Sequence, residues 1–207
     1  MGVDGIDVPY LSYDRLRELA EAFIQEHHPS REIPIPVEEI IDVRLHVNIV
    51  PTPGLTKVFA DDEDDGIESF VTSSLTDIYV DEDAYTRQTN RYRFTIAHEL
   101  AHIHLHDRVF RTLEVHSIAE WRETVKSIPR KQYAWLEWQA YSFAGHLLVP
   151  TTELEAHLSK CIEMIEGAGM SSDDEAVRPS IEKNLGDTFK VSSIVIHKRV
   201  ERENLWP

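Results

Sequence analysis

The chain reads as an α+β protein, a small antiparallel sheet packed on helices and followed by a helical tail. Three observations predict this. Apolar residues recur at helical spacing over Leu16, Leu19, Ala20, Phe23 and Ile24, and again over Leu136, Ala140, Phe143, Ala144 and Leu147. Between His46 and Val80 the pattern changes to short β-rich runs broken by Pro, Gly and Asp. From Pro179 to Trp206 two further helical segments flank a turn near Gly186.

At 207 residues the chain has room for one sizeable core with a small appendage. Its 37 acidic residues against 21 basic give a formal net charge of −16. That excess argues against non-specific binding to nucleic acid or anionic membrane and suits a basic protein partner. A single cysteine, Cys161, excludes an internal disulfide. No apolar run approaches the about 20 residues of a membrane span, and the N-terminus lacks an apolar signal region. The Met1-Gly2 start does not continue as a myristoylation site, since Ile6 stands where Ser or Thr is needed. The expected location is the cytoplasm, with no membrane partner.

Taken in order, Ser12 is placed to cap a core-facing helix that ends at His28-Pro29. Pro36 suits the first position of a second short helix through Ile40, Ile41 and Leu45. His46–Val50 reads as a strand closed by Pro51-Thr52-Pro53-Gly54, and Leu55–Ala60 as another. The acidic run Asp61–Gly66 reads as a solvated hairpin turn. It lacks the glutamate that a calcium loop needs at its twelfth position, where Thr72 stands. Glu68–Ser74 and Thr76–Val80 complete an antiparallel sheet of three or four strands. Such a sheet either only covers the core or offers an edge strand to an extended peptide.

The next segment carries the chemistry. His98-Glu99-Leu100-Ala101-His102 spells H-E-x-x-H, flanked by Ile96, Ala97 and Ile103 with no proline to break a helix. Four helical residues advance about 400°, so His98 and His102 project from one face a turn apart and can share one cation. Glu99 lies beside them, where a carboxylate can take a proton from water that the ion has acidified toward a pKa of about 7. The longer H-E-x-x-H-x-x-G-x-x-H pattern is excluded, because Leu105 and Arg108 occupy its glycine and third histidine. His106 cannot join His98 on one ion, since it stands about 12 Å further along the axis. His104 and His106 therefore read as supporting or packing residues.

Asp107–Lys131 reads as short helical pieces across the site, through Val109, Phe110, Ile118 and Trp121. A long helix follows over about Tyr133–Leu148, ended by Pro150. Thr152 and Glu155 form a capping-box pair for a helix through Leu154, Leu158 and Ile162, and Gly167–Glu175 reads as a linker. In the tail, Leu185-Gly186-x-x-Phe189-x-Val191-Ser192 is similar to a helix-turn-helix unit. The basic residues of its second helix, His197, Lys198, Arg199 and Arg202, are offset by Glu201 and Glu203, so a structural pair is favoured over a DNA reader.

Assembled, the chain resembles the ImmA/IrrE family of metallo-endopeptidases. The resemblance is carried by Arg93–His102, Leu105-His106, Glu137–Pro150 and Phe189–Ser192, in that order. It implies a zincin-like metallopeptidase domain over 1–150 and a helical extension over 151–207, with the helix-turn-helix-like pair at about 179–206. It also implies cleavage of a helix-turn-helix repressor that silences mobile-element or stress-response genes. The family's E-x-x-A helix supplies the third metal ligand, which maps onto Glu137. Of the acids downstream of the motif, Glu114, Glu120, Glu123 and Glu137, only Glu137 sits on a long helix, with Ala140, Tyr141 and Ala144 on the same face. Tyr141 stands where the family often has asparagine, close to the metal, and so is a candidate to support a ligand or the oxyanion.

The expected site is thus His98, His102 and Glu137 around Zn²⁺, with Mn²⁺ as a substitute, and Glu99 as general base. The expected partner is a protein substrate, a basic repressor encoded nearby, and not nucleic acid. Two rival readings remain: a non-catalytic partner of a repressor or toxin with a structural metal, and a DNA-binding regulator acting through its C-terminal helices.

Overall fold

The motif segment forms the central helix in a computed structural model that describes residues 6–58, 68–87, 89–113, 115–169, 171 and 175–207. Before it come α1 (Tyr13–His27), the short α2 (Val37–Glu39) continuing as a π-turn over Ile40–Arg44, β1 (Asn48–Thr52), α3 (Leu55–Val58), β2 (Ser69–Val71), β3 (Asp77–Asp81) and α4 (Glu82–Arg87). The motif helix is α5 (Thr89–Leu105). After it run α6 (Asp107–Thr112), α7 (Ile118–Ser127), α8 (Arg130–Leu148), α9 (Thr151–Gly167), α10 (Arg178–Phe189) and α11 (Ser193–Glu203).

Mixed α+β architecture is as the sequence predicts, but the sheet is not wholly antiparallel. Its order is β1-β3-β2, with β2 antiparallel and β1 parallel to β3. The connections explain this. Only β2 and β3 are joined by a tight turn, through Leu75 at φ +60°, which forces reversal. β1 reaches β3 only after an excursion that includes α3 and β2, long enough to permit the parallel pairing that is seen. The strand expected at Leu55–Ala60 is helical over Leu55–Val58, where the Asp81 Oδ2 accepts from both the Thr56 N–H and its hydroxyl. Residues 59–60 and the acidic turn 61–66 lie outside the described residues.

Ser12 caps α1 as expected, its hydroxyl accepting from the Arg15 N–H, and Leu16, Ala20, Phe23 and Ile24 are buried. Pro36 precedes α2 rather than opening it. The Thr152–Glu155 capping box does not form. Helix α9 begins two residues earlier than that box requires, directly after Pro150 and without a side-chain cap, while Glu153 is held by Arg31 at 2.6 and 2.7 Å. Of the expected linker, residues 170 and 172–174 lie outside the described residues; Gly169 closes α9 at φ +79°.

Two helices position the site. Helix α5 packs along α8, and Ala97, Ala101, Ala140 and Ala144 are all fully buried, small enough for the axes to approach. Helix α1 covers the other flank of α8. The tail is tied back to this core. The Asn90 amide donates to the Val191 carbonyl at 3.2 Å, and Arg93 Nε to the Lys190 carbonyl at 3.2 Å, so the turn between α10 and α11 hangs on the first turns of the motif helix. Among the described residues no helix is long and apolar enough to cross a membrane.

Candidate metal centre and active-site cleft

Helical spacing on α5 brings His98 and His102 to one face, with their Nε2 atoms 3.0 Å apart. Glu137 reaches across from α8: its Oε2 lies 3.1 Å from His98 Nε2 and its Oε1 3.5 Å from His102 Nε2. These three form the metal-type donor cluster found among the described residues. Donors at about 2.0–2.1 Å from a tetrahedral ion stand about 3.4 Å from one another. The observed spacings fit such an ion, and two imidazoles with one carboxylate leave a position open for water. Both histidines are buried. Burial acts to raise the Glu137 carboxyl, but the two histidines beside it outweigh burial and hold the group ionised, well below the usual carboxylate range.

Of the other acids, Glu120 accepts from the His116 N–H at 2.7 Å and Glu123 faces Lys126 at 3.5 Å. Glu114 lies outside the described residues. Neither described acid joins the cluster.

The donors open on a cleft of about 560 Å³ that is also lined by Glu99, Tyr141, Ser69 and Trp121. Glu99 is buried, and one of its oxygens, Oε1, accepts from the Ser69 hydroxyl at 2.5 Å. Tyr141 stands 56% exposed at the cleft wall, its ring 4.6 Å from His98 and 5.7 Å from Phe94. Burial, then the charges of Glu137 and Glu99, raise its hydroxyl, which remains a proton donor.

The comparison with protein families decides what this cleft belongs to. The family described as the IrrE N-terminal-like domain, peptidase family M78, matches residues 78–201. The chain belongs to that family. It is a metallopeptidase of the IrrE/ImmA type, and its matched region runs from β3 through the donor cluster into α11. A search of curated proteins returns no match.

One part of the peptidase's cleft was not legible beforehand. Ser69 lies in a run whose pattern shows only a strand, whereas Trp121, expected on a short helical piece across the site, does lie on α7 and stacks on Phe110 at 5.7 Å. Strand alternation could have placed Ser69 on one face of the sheet, but not beside Glu99, thirty residues away. His104 packs between Phe23 and Phe143 and takes no part in the cluster. His106 reaches His102 instead, at 3.1 Å between their Nδ1 atoms. Burial and then the neighbouring His102 push His106 down to about 3.

The tail of the peptidase lines a second hollow of about 870 Å³, which shares Phe94, Tyr141 and Val195 with the first. On α11, Arg199 is buried, and Arg202 lies over the rings of Tyr13 and Trp138 at 4.5 and 5.5 Å. His197 is bonded to Glu182 at 2.8 Å.

Proposed function

We propose that this chain is a zinc-dependent endopeptidase, with Mn²⁺ able to replace zinc, that cleaves a basic helix-turn-helix repressor in the cytoplasm and so derepresses mobile-element or stress-response genes. The observation that carries the catalytic part is the Glu99 carboxylate, buried in the same cleft as three convergent metal-type donors. A divalent cation held by His98, His102 and Glu137 supplies Lewis acidity toward water and the scissile carbonyl. The Ser69 hydroxyl occupies one Glu99 oxygen, which leaves the other free to take the proton of the attacking water and deliver it to the leaving amine. Tyr141, protonated at the cleft wall, is placed to donate to the developing oxyanion. Strand β2 lies at one edge of the three-stranded sheet and contributes Ser69, which suits main-chain pairing with an extended substrate.

In this reading residues 1–150 carry the catalytic unit and 151–207 an extension packed on it. A non-catalytic role with a structural metal is disfavoured, because a structural site closes all four positions with protein ligands. A DNA-reading role for α11 is disfavoured too: Arg199, one of its four basic residues, is buried and not free to meet phosphate. The net charge of −16 opposes it further.

The test incubates the purified protein with the helix-turn-helix protein encoded beside it, with and without a chelator. One defined, chelator-sensitive cut is expected. Glu99→Gln should keep the metal and lose at least about 10³ in turnover. Wild-type cleavage by that variant would refute the mechanism, and wild-type metal affinity in Glu137→Ala would move the third ligand elsewhere.

A further inference from the structure

The two histidine donors are not held alike. His98 Nδ1 is buried and has no hydrogen-bond partner among the described residues. His102 Nδ1 instead opens a chain of contacts: 3.1 Å to His106 Nδ1, then 3.1 Å from His106 Nε2 to Gln139 Oε1, then 2.8 Å from Gln139 Nε2 to the carbonyl of Pro9. We propose that Pro9, Gln139 and His106 form a tautomer relay that places the proton of His102 on Nδ1 and so presents its Nε2 lone pair to a metal ion. The inference rests on the metal-binding reading of the cluster.

The direction of the relay follows from its far end. A carbonyl oxygen can only accept, so the Gln139 amide must turn its NH₂ toward Pro9. The flipped amide would set two acceptors 2.8 Å apart inside the protein. Gln139 Oε1 therefore faces His106, and since it too can only accept, His106 Nε2 carries the proton. Burial favours the neutral His106 ring, and with its one proton on Nε2 the Nδ1 holds a lone pair. The hydrogen across the 3.1 Å gap must then sit on His102 Nδ1, leaving His102 Nε2 as the lone-pair atom facing His98 and Glu137.

Three elements hold the relay in place. The His106 N–H bonds the His102 carbonyl at 3.0 Å as α5 ends, which brings its ring back beside His102. Gln139 is fully buried on α8, the helix that also supplies Glu137. The segment before α1 is pinned to α8 a second time, by the Val8 N–H on Gln132 Oε1 at 3.2 Å; Gln132 lies seven residues from Gln139, on the same helix face. The N-terminal segment thereby acts on the metal centre without touching it. Outer hydrogen bonds of this kind are worth 10- to 100-fold in metal affinity.

The test uses the full-length, metal-free protein labelled with ¹⁵N. Long-range ¹H–¹⁵N correlation of the imidazoles, assigned with His102→Phe and His106→Phe, reads each tautomer directly. The expected result is Nδ1–H on His102 and Nε2–H on His106. A proton on His102 Nε2, or on His106 Nδ1, overturns the relay. Gln139→Met keeps the volume and removes the acceptor. In that variant His106 should lose its fixed tautomer, and Zn²⁺ affinity by chelator competition should fall about 10- to 100-fold. Unchanged affinity in the folded variant also overturns the proposal, and if the variant fails to fold, the wild-type spectrum alone decides. Wild-type protein that shows the expected tautomers yet binds no zinc refutes the peptidase reading and leaves the relay standing.

Discussion

Replacing Arg199 by alanine should cost about 3 kcal/mol, far more than a surface arginine. Its side chain lies among three helices. Nη1 donates to Tyr13 Oη and Glu203 Oε1, each at 2.6 Å; Nη2 donates to Thr151 Oγ1 at 2.9 Å and to the Val149 carbonyl at 3.2 Å, which Nε also approaches at 3.3 Å. Glu203 is itself buried, its side chain 7% exposed. Removing one partner of a buried pair costs about 3–5 kcal/mol, because the other charge is left without compensation. Here Arg17 remains 3.1 Å from Glu203, so the low end of that range applies. For a domain of this size, about 2–4 °C is lost per kcal/mol, which makes the expected drop about 6–12 °C in a calorimetric scan. The double replacement Arg199→Met with Glu203→Leu should lose less than Arg199→Ala alone, since no buried charge is then left without a partner; Arg17 keeps Asp14 at 2.8 Å. A loss below about 1 kcal/mol, the range of exposed pairs, would refute the view that this contact anchors the tail.

Gly186→Ala should destabilise by about 1–2 kcal/mol in urea unfolding: the added Cβ would lie 2.9 Å from the Val191 carbonyl, a backbone atom, and that clash exceeds the gain of about 1 kcal/mol in helix propensity. A stabilised variant would show that the turn shifts freely. Ser69→Ala should retain stoichiometric metal and lower turnover about 10-fold, because Glu99 loses its 2.5 Å donor; metal loss would mean that Ser69 acts on the ligands instead. Acid should erase the stabilising effect of Glu153. Burial acts to raise its carboxyl, but the hydrogen bond from Arg31 outweighs that and sets the folded pKa below the unfolded value of 4.5. The stabilisation is therefore present above that value and is lost as pH falls through the folded pKa. Thermal scans of wild type and Glu153→Gln between about pH 7 and pH 3 should converge at the acid end, and a gap that stays constant would exclude the linkage.

What could be read without tertiary structure was whatever depends on neighbours a few residues apart. The 3.6-residue period shows in Leu16–Ile24 and Leu136–Leu147, the Ser12 cap precedes its helix by one residue, and the pairing of His98 with His102 follows from four residues on one helix. The resemblance to ImmA/IrrE peptidases, and with it the assignment of Glu137, rests on stretches of the same local kind. Where the outcome depended on which segments meet and the resemblance did not reach, local reading failed or fell silent. Residues 55–60 carry strand-like composition, yet Leu55–Val58 became a helix once Asp81 from another strand bonded Thr56. Thr152 and Glu155 are spaced for a capping box, yet Arg31, more than a hundred residues earlier, engages the adjacent Glu153. The parallel pairing of β1 with β3, the placing of Ser69 on Glu99 and that of Pro9 at the end of a path to His102 depended on packing between elements far apart in the chain. Backbone dihedrals impose helical period and cap geometry residue by residue, so a single segment displays them. The donor across a cleft and the acceptor at the end of a buried hydrogen-bond chain are chosen only when separate segments come to share one interior, where each polar group must find a partner.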